Sequence, residues 1–203
     1  MAHLAGVGHA AGEGALDAPA PTGPRVPSPG AVTIETLTEA HGTEFVVCVR
    51  ESRAFHHPWA DLPDTPERFA GLVERFAVAD QRAYVLRHRS CRRLVGYVSV
   101  GNIVRASFQS AYLGYAAFAG HHGRGLMREG LARVVAEAFG PLGLHRLEAN
   151  IQPDNARSIA LVRSLGFRKE GLSPRYLMVD GAWRDHERWA ILAEDLSWPT
   201  GGA

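Results

Sequence analysis

Three glycines set among basic residues form the stretch of this sequence best suited to chemistry. Gly120 to Gly125 reads Gly-His-His-Gly-Arg-Gly and follows an apolar run, Leu113 to Phe118, that suits a buried strand. Apolar residues then recur at the spacing of an amphipathic helix. A strand, a glycine-rich turn and a helix N-terminus in succession can bind an anion. Backbone N–H groups point inward there, the helix dipole puts a partial positive charge at the N-terminus, and Arg124 adds a full positive charge.

Two well-known phosphate-binding patterns do not fit this loop. A Walker loop ends in Gly-Lys-Ser/Thr, whereas here Gly125 is followed by Leu126. The dinucleotide fingerprint needs a third glycine at the position of Arg128. An ordinary strand, turn and helix would also explain the segment that remains, which is His122-Gly123-Arg124-Gly125-Leu126-Met127.

Further polar motifs lie on both sides of the loop. Asn155-Ala156-Arg157-Ser158 follows a predicted strand and leads to Leu165-Gly166-Phe167. Trp183-Arg184-Asp185-His186 lies near the end of the chain, and His56-His57-Pro58-Trp59 lies near the beginning. Asparagine is a favoured N-cap residue and glycine a favoured helix terminator, so a short helix is predicted between Asn155 and Gly166.

Together these motifs resemble the GNAT acetyltransferases, and more closely their subgroup of ribosomal-protein-alanine N-acetyltransferases. The glycine loop is similar to the family's Gln/Arg-x-x-Gly-x-Gly/Ala pyrophosphate loop, with His121 or His122 in place of the first polar residue. The resemblance covers about Val32 to Leu196 in the family's order. It implies an N-acetyltransferase with acetyl-CoA as co-substrate, a primary amine as acceptor and no metal.

The resemblance also implies where the coenzyme lies. The amides of its pantetheine arm need an unpaired strand edge, and its pyrophosphate needs the backbone N–H groups of the glycine loop. The expected coenzyme-binding residues are Tyr115, Ala116, Ala117, Phe118, His122, Gly123, Arg124, Gly125, Leu126, Met127 and Asn155.

The acceptor amine must be neutral when it attacks. At pH 7 about a tenth of an α-amine with a pKa near 8 is neutral, against well under a thousandth of a lysine amine. An α-amine therefore needs little help from a base, which fits the subgroup. The resemblance implies a protein N-terminus as the acceptor, with a ribosomal protein as the partner. A small-molecule amine and a non-catalytic acyl-CoA sensor are the alternatives. His57, Trp59 and Asn150 are expected on the acceptor side, with His56 beside them.

Ser158 is the candidate for stabilising the departing thiolate, with Asn155 fixing the site through hydrogen bonds. Relatives outside the subgroup often use a tyrosine four residues later, but Val162 occupies that position here. The alternative is that Asn155 serves only as a helix N-cap and Ser158 is a polar residue of the first turn.

Glu148 is the candidate general base. In the subgroup a glutamate can stand two residues before a Gly-Tyr pair of the third antiparallel strand. That pair is Gly114-Tyr115 here, and the glutamate position is occupied by Tyr112. Glu148 shares one strand face with Asn150 and could accept a proton through water. The alternative is that Glu148 pairs with Arg146 and that bulk water accepts the proton.

The elements that must position these residues follow from periodicity and turn signals. The predicted order is strand, two helices, three antiparallel strands, helix, strand, helix and hairpin. The first helix is expected from Glu39 to about Ser52, and Thr65-Pro66 begins the second helix. The hairpin strands are expected at Tyr176 to Val179 and Trp183 to Leu192, with the turn at Asp180-Gly181. Phe55 to Trp59 is expected to be a loop. The helix crossover makes the next strand parallel to the third of the antiparallel strands.

This order predicts the fold class α/β (α+β), the GNAT fold. Its mixed, mostly antiparallel sheet is splayed at two parallel strands and flanked by helices. We expect the domain to span residues 32–197, between an Ala/Gly/Pro-rich leader of residues 1–31 that is too poor in apolar residues to fold and a tail of residues 198–203.

Composition limits the classes of partner. The chain has 203 residues and a formal net charge of +1, which gives no general attraction to DNA or to anionic membranes. No apolar run reaches the roughly 18 residues of a membrane span, and the N-terminus lacks signal-peptide features.

Cys48 and Cys91 fit no metal or redox motif, so reduced thiols and a cytoplasmic location are expected, with one disulfide as the alternative. A monomer or a homodimer is compatible with these features.

Overall fold

The computed structural model describes residues 30–121 and 123–196. The strands are β1 (Val32–Thr36), β2 (Arg82–His88), β3 (Leu94–Val104), β4 (Ser110–Ala117), β5 (Arg146–Ile151), β6 (Arg168–Val179) and β7 (Ala182–Leu192). The helices are α1 (Gly42–Glu51), α2 (Arg53–His56), α3 (Pro66–Arg75), α4 (Leu126–Phe139) and α5 (Ala156–Ser164). All but two residues of the predicted leader, and the whole predicted tail, lie outside this range. The domain limits therefore stay predictions.

The seven strands form one sheet in the order β1-β2-β3-β4-β5-β7-β6. Neighbours are antiparallel except β4 and β5, which run parallel across the α4 crossover. The predicted fold class is confirmed. The parallel pair is joined only through Ser110 with Arg146, Ala111 with Leu147, and Tyr112 with Glu148. Beyond Tyr112 the two strands have no pairing, so a slot opens in the middle of the sheet.

Helices cover both faces of the sheet and bury two apolar clusters. On one face α4 and α5 pack on the inner strands, with Leu131, Val134 and Val162 fully buried. On the other face α1 and α3 pack around Phe45, whose ring centroid lies 5.4 Å from that of Phe118. Strand β4 contributes Ala111 and Leu113 to the first cluster, and Phe118, the residue directly after β4, belongs to the second, so the strand is held in place next to the slot.

Local signals explain most element boundaries. The Thr65 side chain accepts a hydrogen bond from the Arg68 N–H and caps α3, as predicted. Asp180 and Gly181 have φ of 51° and 71°, the left-handed pair that a tight hairpin turn requires. Gly166 ends α5 at φ 87°.

Three boundaries differ from the predictions. The first helix begins as a single 3-10 turn, Glu39–His41, before α1. The predicted loop from Phe55 to Trp59 is partly helical, because α2 includes Phe55 and His56. Strand β6 begins at Arg168, well before the predicted Tyr176. Two register shifts and mostly exposed side chains removed the alternation that would have indicated this long strand.

None of the helices in the described segments is long and apolar enough to cross a membrane. Both cysteines are free thiols, Cys48 buried and Cys91 exposed. The predicted disulfide alternative is therefore not present in the structure.

The start of β1 is bound to α4 by one carboxylate. Glu129 accepts hydrogen bonds from the backbone N–H groups of Ala31, at 3.1 Å, and Val32, at 3.0 Å. Arg133, one turn along α4, forms an ion pair with the same carboxylate at 3.1 Å. This contact joins the first strand to the helix that begins at the glycine loop.

The Glu129 contact should contribute measurably to stability. We expect Glu129→Ala to lower the free energy of unfolding by about 1–3 kcal/mol, because two backbone donors lose their acceptor. Denaturant unfolding measures the change. Glu137→Ala on the same helix is the control, since it leaves both N–H groups paired. An equal loss of unfolding free energy in the two variants would show that the Glu129 hydrogen bonds do not stabilise the fold.

Candidate active site

The slot exposes one backbone edge of β4. The Phe118 N–H donates to the Val95 carbonyl of β3 at 2.8 Å. Because hydrogen bonding alternates along an antiparallel strand, the N–H groups of Tyr115 and Ala117 point the other way, into the slot. In the described part of the chain no strand occupies this edge. It can therefore pair with an extended chain that carries amides.

A cavity of about 540 Å³ runs along this edge. It brings together most of the residues that the sequence predicted for the coenzyme. Those in its lining are Tyr115, Ala116, Ala117, Gly123, Gly125, Leu126, Met127, Asn155 and Ser158, together with Trp59 of the predicted acceptor side.

Some predicted site residues lie outside this lining. Phe118 is 1% exposed in the α1–α3 cluster, and its N–H is bonded to β3, so it does not reach the slot. Arg124 is exposed on the glycine loop without contributing to the lining. Glu148 and Asn150 lie on β5, away from this cavity. His122 is outside the described residues, so its predicted role stays a prediction.

The glycine loop leads directly into the N-terminus of α4. Gly123 and Gly125 have φ of 74° and 73°, a backbone conformation that other residues rarely adopt. Gly125 is the N-cap of α4 and provides no side-chain cap. The first N–H groups of this helix can thus donate to an anion.

His121 lies at the mouth of the loop among cations. Its ring stacks on His88, with 5.8 Å between centroids. Burial lowers the pKa of His121, and the nearby Arg93, His88 and Arg124 lower it further. Its Nδ1 is buried and has no hydrogen-bond partner among the described residues. An anion would be favoured in this environment.

Asn155 and Ser158 meet at the start of α5. The Asn155 side chain accepts a hydrogen bond from the Ser158 N–H at 3.1 Å and so caps the helix. The Ser158 hydroxyl points across the cavity to β4, where Tyr115 Oη lies 2.6 Å from Ser158 Oγ. Burial raises the pKa of Tyr115 to about 12, although the bond to Ser158 acts in the opposite direction.

No local pattern in the sequence assigns a role to the Tyr115 hydroxyl. Only the backbone of this residue was expected to contact the coenzyme. Alternation along β4 puts Leu113, Tyr115 and Ala117 on one face, but it does not reveal that α5 covers this face. Val162, at the position where relatives outside the subgroup often have a tyrosine, is fully buried.

Glu148 and Asn150 lie on the other face of the slot, on the side of Tyr112. Tyr112 pairs with Glu148 in register, so both side chains share one face. Glu148 accepts a hydrogen bond from Arg146 Nε at 2.9 Å, which is the pairing considered as the alternative. Arg146 also bonds Glu170 on β6. The Asn150 Oδ1 atom is buried and has no hydrogen-bond partner in the described segments.

A second cavity, of about 310 Å³, adjoins the first at His56 and Ala60. His57 is among its lining residues and lies 3.6 Å from Asp180 at the hairpin tip. His56 separates the two cavities and donates through Nε2 to the Ala117 carbonyl at 2.8 Å. Helix α2 is thus bonded to the strand that lines the larger cavity.

The second cavity carries charges of both signs. Arg68 binds Asp61 and Asp64, each at 2.8 Å. Arg50 and Arg53 also contribute to the lining. Across residues 30–121 and 123–196, no three His, Cys, Asp or Glu side chains are arranged to hold a metal ion.

Comparison with known proteins identifies the family. The family model described as "Acetyltransferase (GNAT) domain" matches residues 32–168. With the splayed sheet and the glycine loop, this match shows that the chain belongs to the GNAT family and is an acetyl-CoA-dependent acyltransferase.

Three similar proteins illustrate the range of the family. The [ribosomal protein uS5]-alanine N-acetyltransferase of Escherichia coli is 33% identical over 153 residues, which cover 71% of this chain and 79% of that protein. Mycobacterium smegmatis RimJ, solved with CoA-disulfide, is 27% identical with a TM-score of 0.76 and coverage of 82% and 84%. A spermidine N-acetyltransferase from Vibrio cholerae shares the fold at 19% identity, with a TM-score of 0.70 and coverage of 81% and 97%.

The buried His56 should make stability depend on pH. Burial lowers its pKa, while the bond to Ala117 acts in the opposite direction. The unfolded chain therefore takes up the proton first, near pH 6.5, and stability should fall as the pH drops below that value. Thermal unfolding at pH 7.5 and pH 5.5 measures this loss.

His56→Gln should reduce the pH-dependent loss, because no imidazole remains to be protonated at this position. His57→Gln is the matched control, since the His57 side chain is exposed and should leave the wild-type loss unchanged. If wild type and His56→Gln lost the same stability between pH 7.5 and pH 5.5, His56 would not be the source of the pH dependence.

Proposed function

We propose that this enzyme transfers acetyl from acetyl-CoA to the N-terminal α-amine of a protein, as a ribosomal-protein-alanine N-acetyltransferase does. The observation that carries the proposal is the single cavity that joins the open β4 edge, the glycine loop and Ser158. Two free cysteines support a reducing compartment, and we place the reaction in the cytoplasm.

The described residues fit the coenzyme. Its pantetheine amides would pair with the slot-facing backbone of Tyr115 and Ala117. Its pyrophosphate would accept from the N–H groups at Gly123, Gly125 and the start of α4, with the charge of Arg124 nearby. When bound, acetyl-CoA supplies an activated acetyl thioester. Ser158 then lies in the same cavity, where its hydroxyl can stabilise negative charge that develops on sulfur.

The acceptor would enter from the face that carries Glu148 and Asn150. The unpartnered Asn150 Oδ1 can accept a hydrogen bond from the entering amine. Arg146 Nε lies 2.9 Å from Glu148 Oε1, so this carboxylate is already engaged in an ion pair. An α-amine needs little help from a general base to lose its proton at neutral pH, and water can accept that proton.

The charges of the second cavity favour a peptide over a polyamine. A polycation such as spermidine needs several unpaired carboxylates. Asp61 and Asp64 are instead both bound by Arg68, and Asp180 faces His57. Arg50 and Arg53 add positive charge to the same lining. This balance supports the peptide acceptor over a polyamine.

A thiol-release assay tests the acceptor. We expect peptides with a free N-terminal alanine or serine to be turned over at least about a hundredfold faster, in kcat/KM, than the same peptides with a blocked N-terminus and a free lysine. The blocked peptide is the matched control. Faster turnover of spermidine would replace the peptide acceptor by a small amine. Tight CoA binding without turnover of any amine would favour the sensor alternative.

The glycine loop can be tested separately by coenzyme binding. Gly125→Val puts a β-branched residue at φ 73° and distorts the N–H groups that face the pyrophosphate. We expect CoA to bind about tenfold more weakly or worse in calorimetry. Gly143→Val is the control, since Gly143 has φ 61° but follows the other end of α4. An unaltered dissociation constant for Gly125→Val would remove the loop from the coenzyme site.

A further inference from the structure

The Tyr115 hydroxyl reaches the proposed reaction centre from β4, while Ser158 reaches it from α5. Their oxygens are 2.6 Å apart, and both residues line the 540 Å³ cavity. The Ser158 N–H is bonded to Asn155, so the helix cap uses the serine backbone and leaves its hydroxyl free to meet Tyr115. The two hydroxyls therefore form a hydrogen-bonded pair that joins β4 to α5 in the cavity.

The direction of this hydrogen bond follows from acidity. A phenol is a much stronger acid than an aliphatic alcohol, so the Tyr115 O–H is the better donor and Ser158 Oγ the better acceptor. When Tyr115 donates, the Ser158 proton is not used within the pair. That proton can then point into the cavity.

We propose that Tyr115 is a positioning residue for acetyl transfer: it donates to Ser158 Oγ and so directs the Ser158 proton toward the thioester sulfur. The inference rests on the proposed function, because it concerns the departing sulfur of that reaction. The hydroxyl that assists Ser158 thus comes from β4, whereas α5 carries Val162 at the position where relatives outside the subgroup often have a tyrosine.

The pair acts by hydrogen bonding and keeps its protons. Burial raises the pKa of Tyr115 to about 12, well above the roughly 8.5 of a free thiol. Proton transfer from the pair to a thiolate is therefore unfavourable. The C–S bond breaks with its electron pair on sulfur, the C–N bond forms, and the proton lost by nitrogen passes to water. Ser158 stabilises the sulfur charge, and Tyr115 strengthens and directs that contact.

Steady-state kinetics of three variants tests this coupling. Tyr115→Phe and Ser158→Ala should each lower kcat about tenfold or more, with the KM for acetyl-CoA within about twofold of wild type. The double variant should be no slower than Ser158→Ala, because Tyr115 acts through Ser158. Additive losses in the double variant would overturn the proposal.

Tyr97→Phe is the matched control. Tyr97 is also buried with a pKa raised to about 12, and it also bonds a serine, Ser99. It lies on β3 in the α1–α3 cluster, away from the cavity. Wild-type kcat in Tyr97→Phe would separate the effect at Tyr115 from the general cost of removing a buried hydroxyl. Equal kcat in Tyr97→Phe and Tyr115→Phe would overturn the proposal.

A second measurement does not depend on turnover. The thiol of bound CoA should ionise at lower pH than that of free CoA, because the hydroxyl pair stabilises the thiolate. Ultraviolet absorbance of the thiolate follows this ionisation. Tyr115→Phe and Ser158→Ala should each move the midpoint up toward that of free CoA by about half a unit or more.

The two proposals fail in different ways. If wild type acetylates no amine, the proposed function fails. If wild type is active and Tyr115→Phe leaves both kcat and the thiol midpoint unchanged, the Tyr115 inference fails alone.

Discussion

The separation of β4 and β5 after three paired residues is the constraint on which the rest of the structure depends. A parallel pair that continued to Ala117 would close the slot and use the backbone groups that now face it. The strands can separate because each is held from the other side, β4 by β3 and β5 by β7. One apolar cluster packs on β4 and the other holds Phe118 directly after it, and together they keep the free edge in place.

The two faces of the sheet offer different charged and hydrogen-bonding groups around this slot. The α4–α5 face provides a helix N-terminus and the pair of hydroxyls, which suit an anion and a developing thiolate. The opposite face provides Asn150 and a carboxylate, Glu148, that Arg146 already holds. Under the proposed function, two substrates with different chemistry would approach the slot from opposite sides of the sheet.

Much of this arrangement could be predicted from the sequence, because the signals were local. Thr65 and Asn155 identified helix starts through their capping side chains, and the glycine loop identified the start of α4. The parallel β4–β5 pair followed from the crossover helix. The beginning of β6 could not be predicted, since bulges interrupted its alternation.

The contact between Tyr115 and Ser158 also could not be predicted. It joins residues 43 positions apart and depends on which sheet face α5 covers. The direction of Glu148 was similarly open, because a change of one residue in register reverses a strand side chain. Pairwise packing between distant elements decides such details, and no local pattern encodes it.

The bond from His56 to the Ala117 carbonyl has a consequence for how the two cavities communicate. The ring of His56 contributes to the walls of both, and its hydrogen bond ends on the strand edge that would hold pantetheine. A shift of α2 would therefore have to pull on that strand or break the bond. Under the proposed function, such a shift on acceptor entry would link the affinities of the two substrates, so that the ligand bound first would alter the free energy of binding for the other.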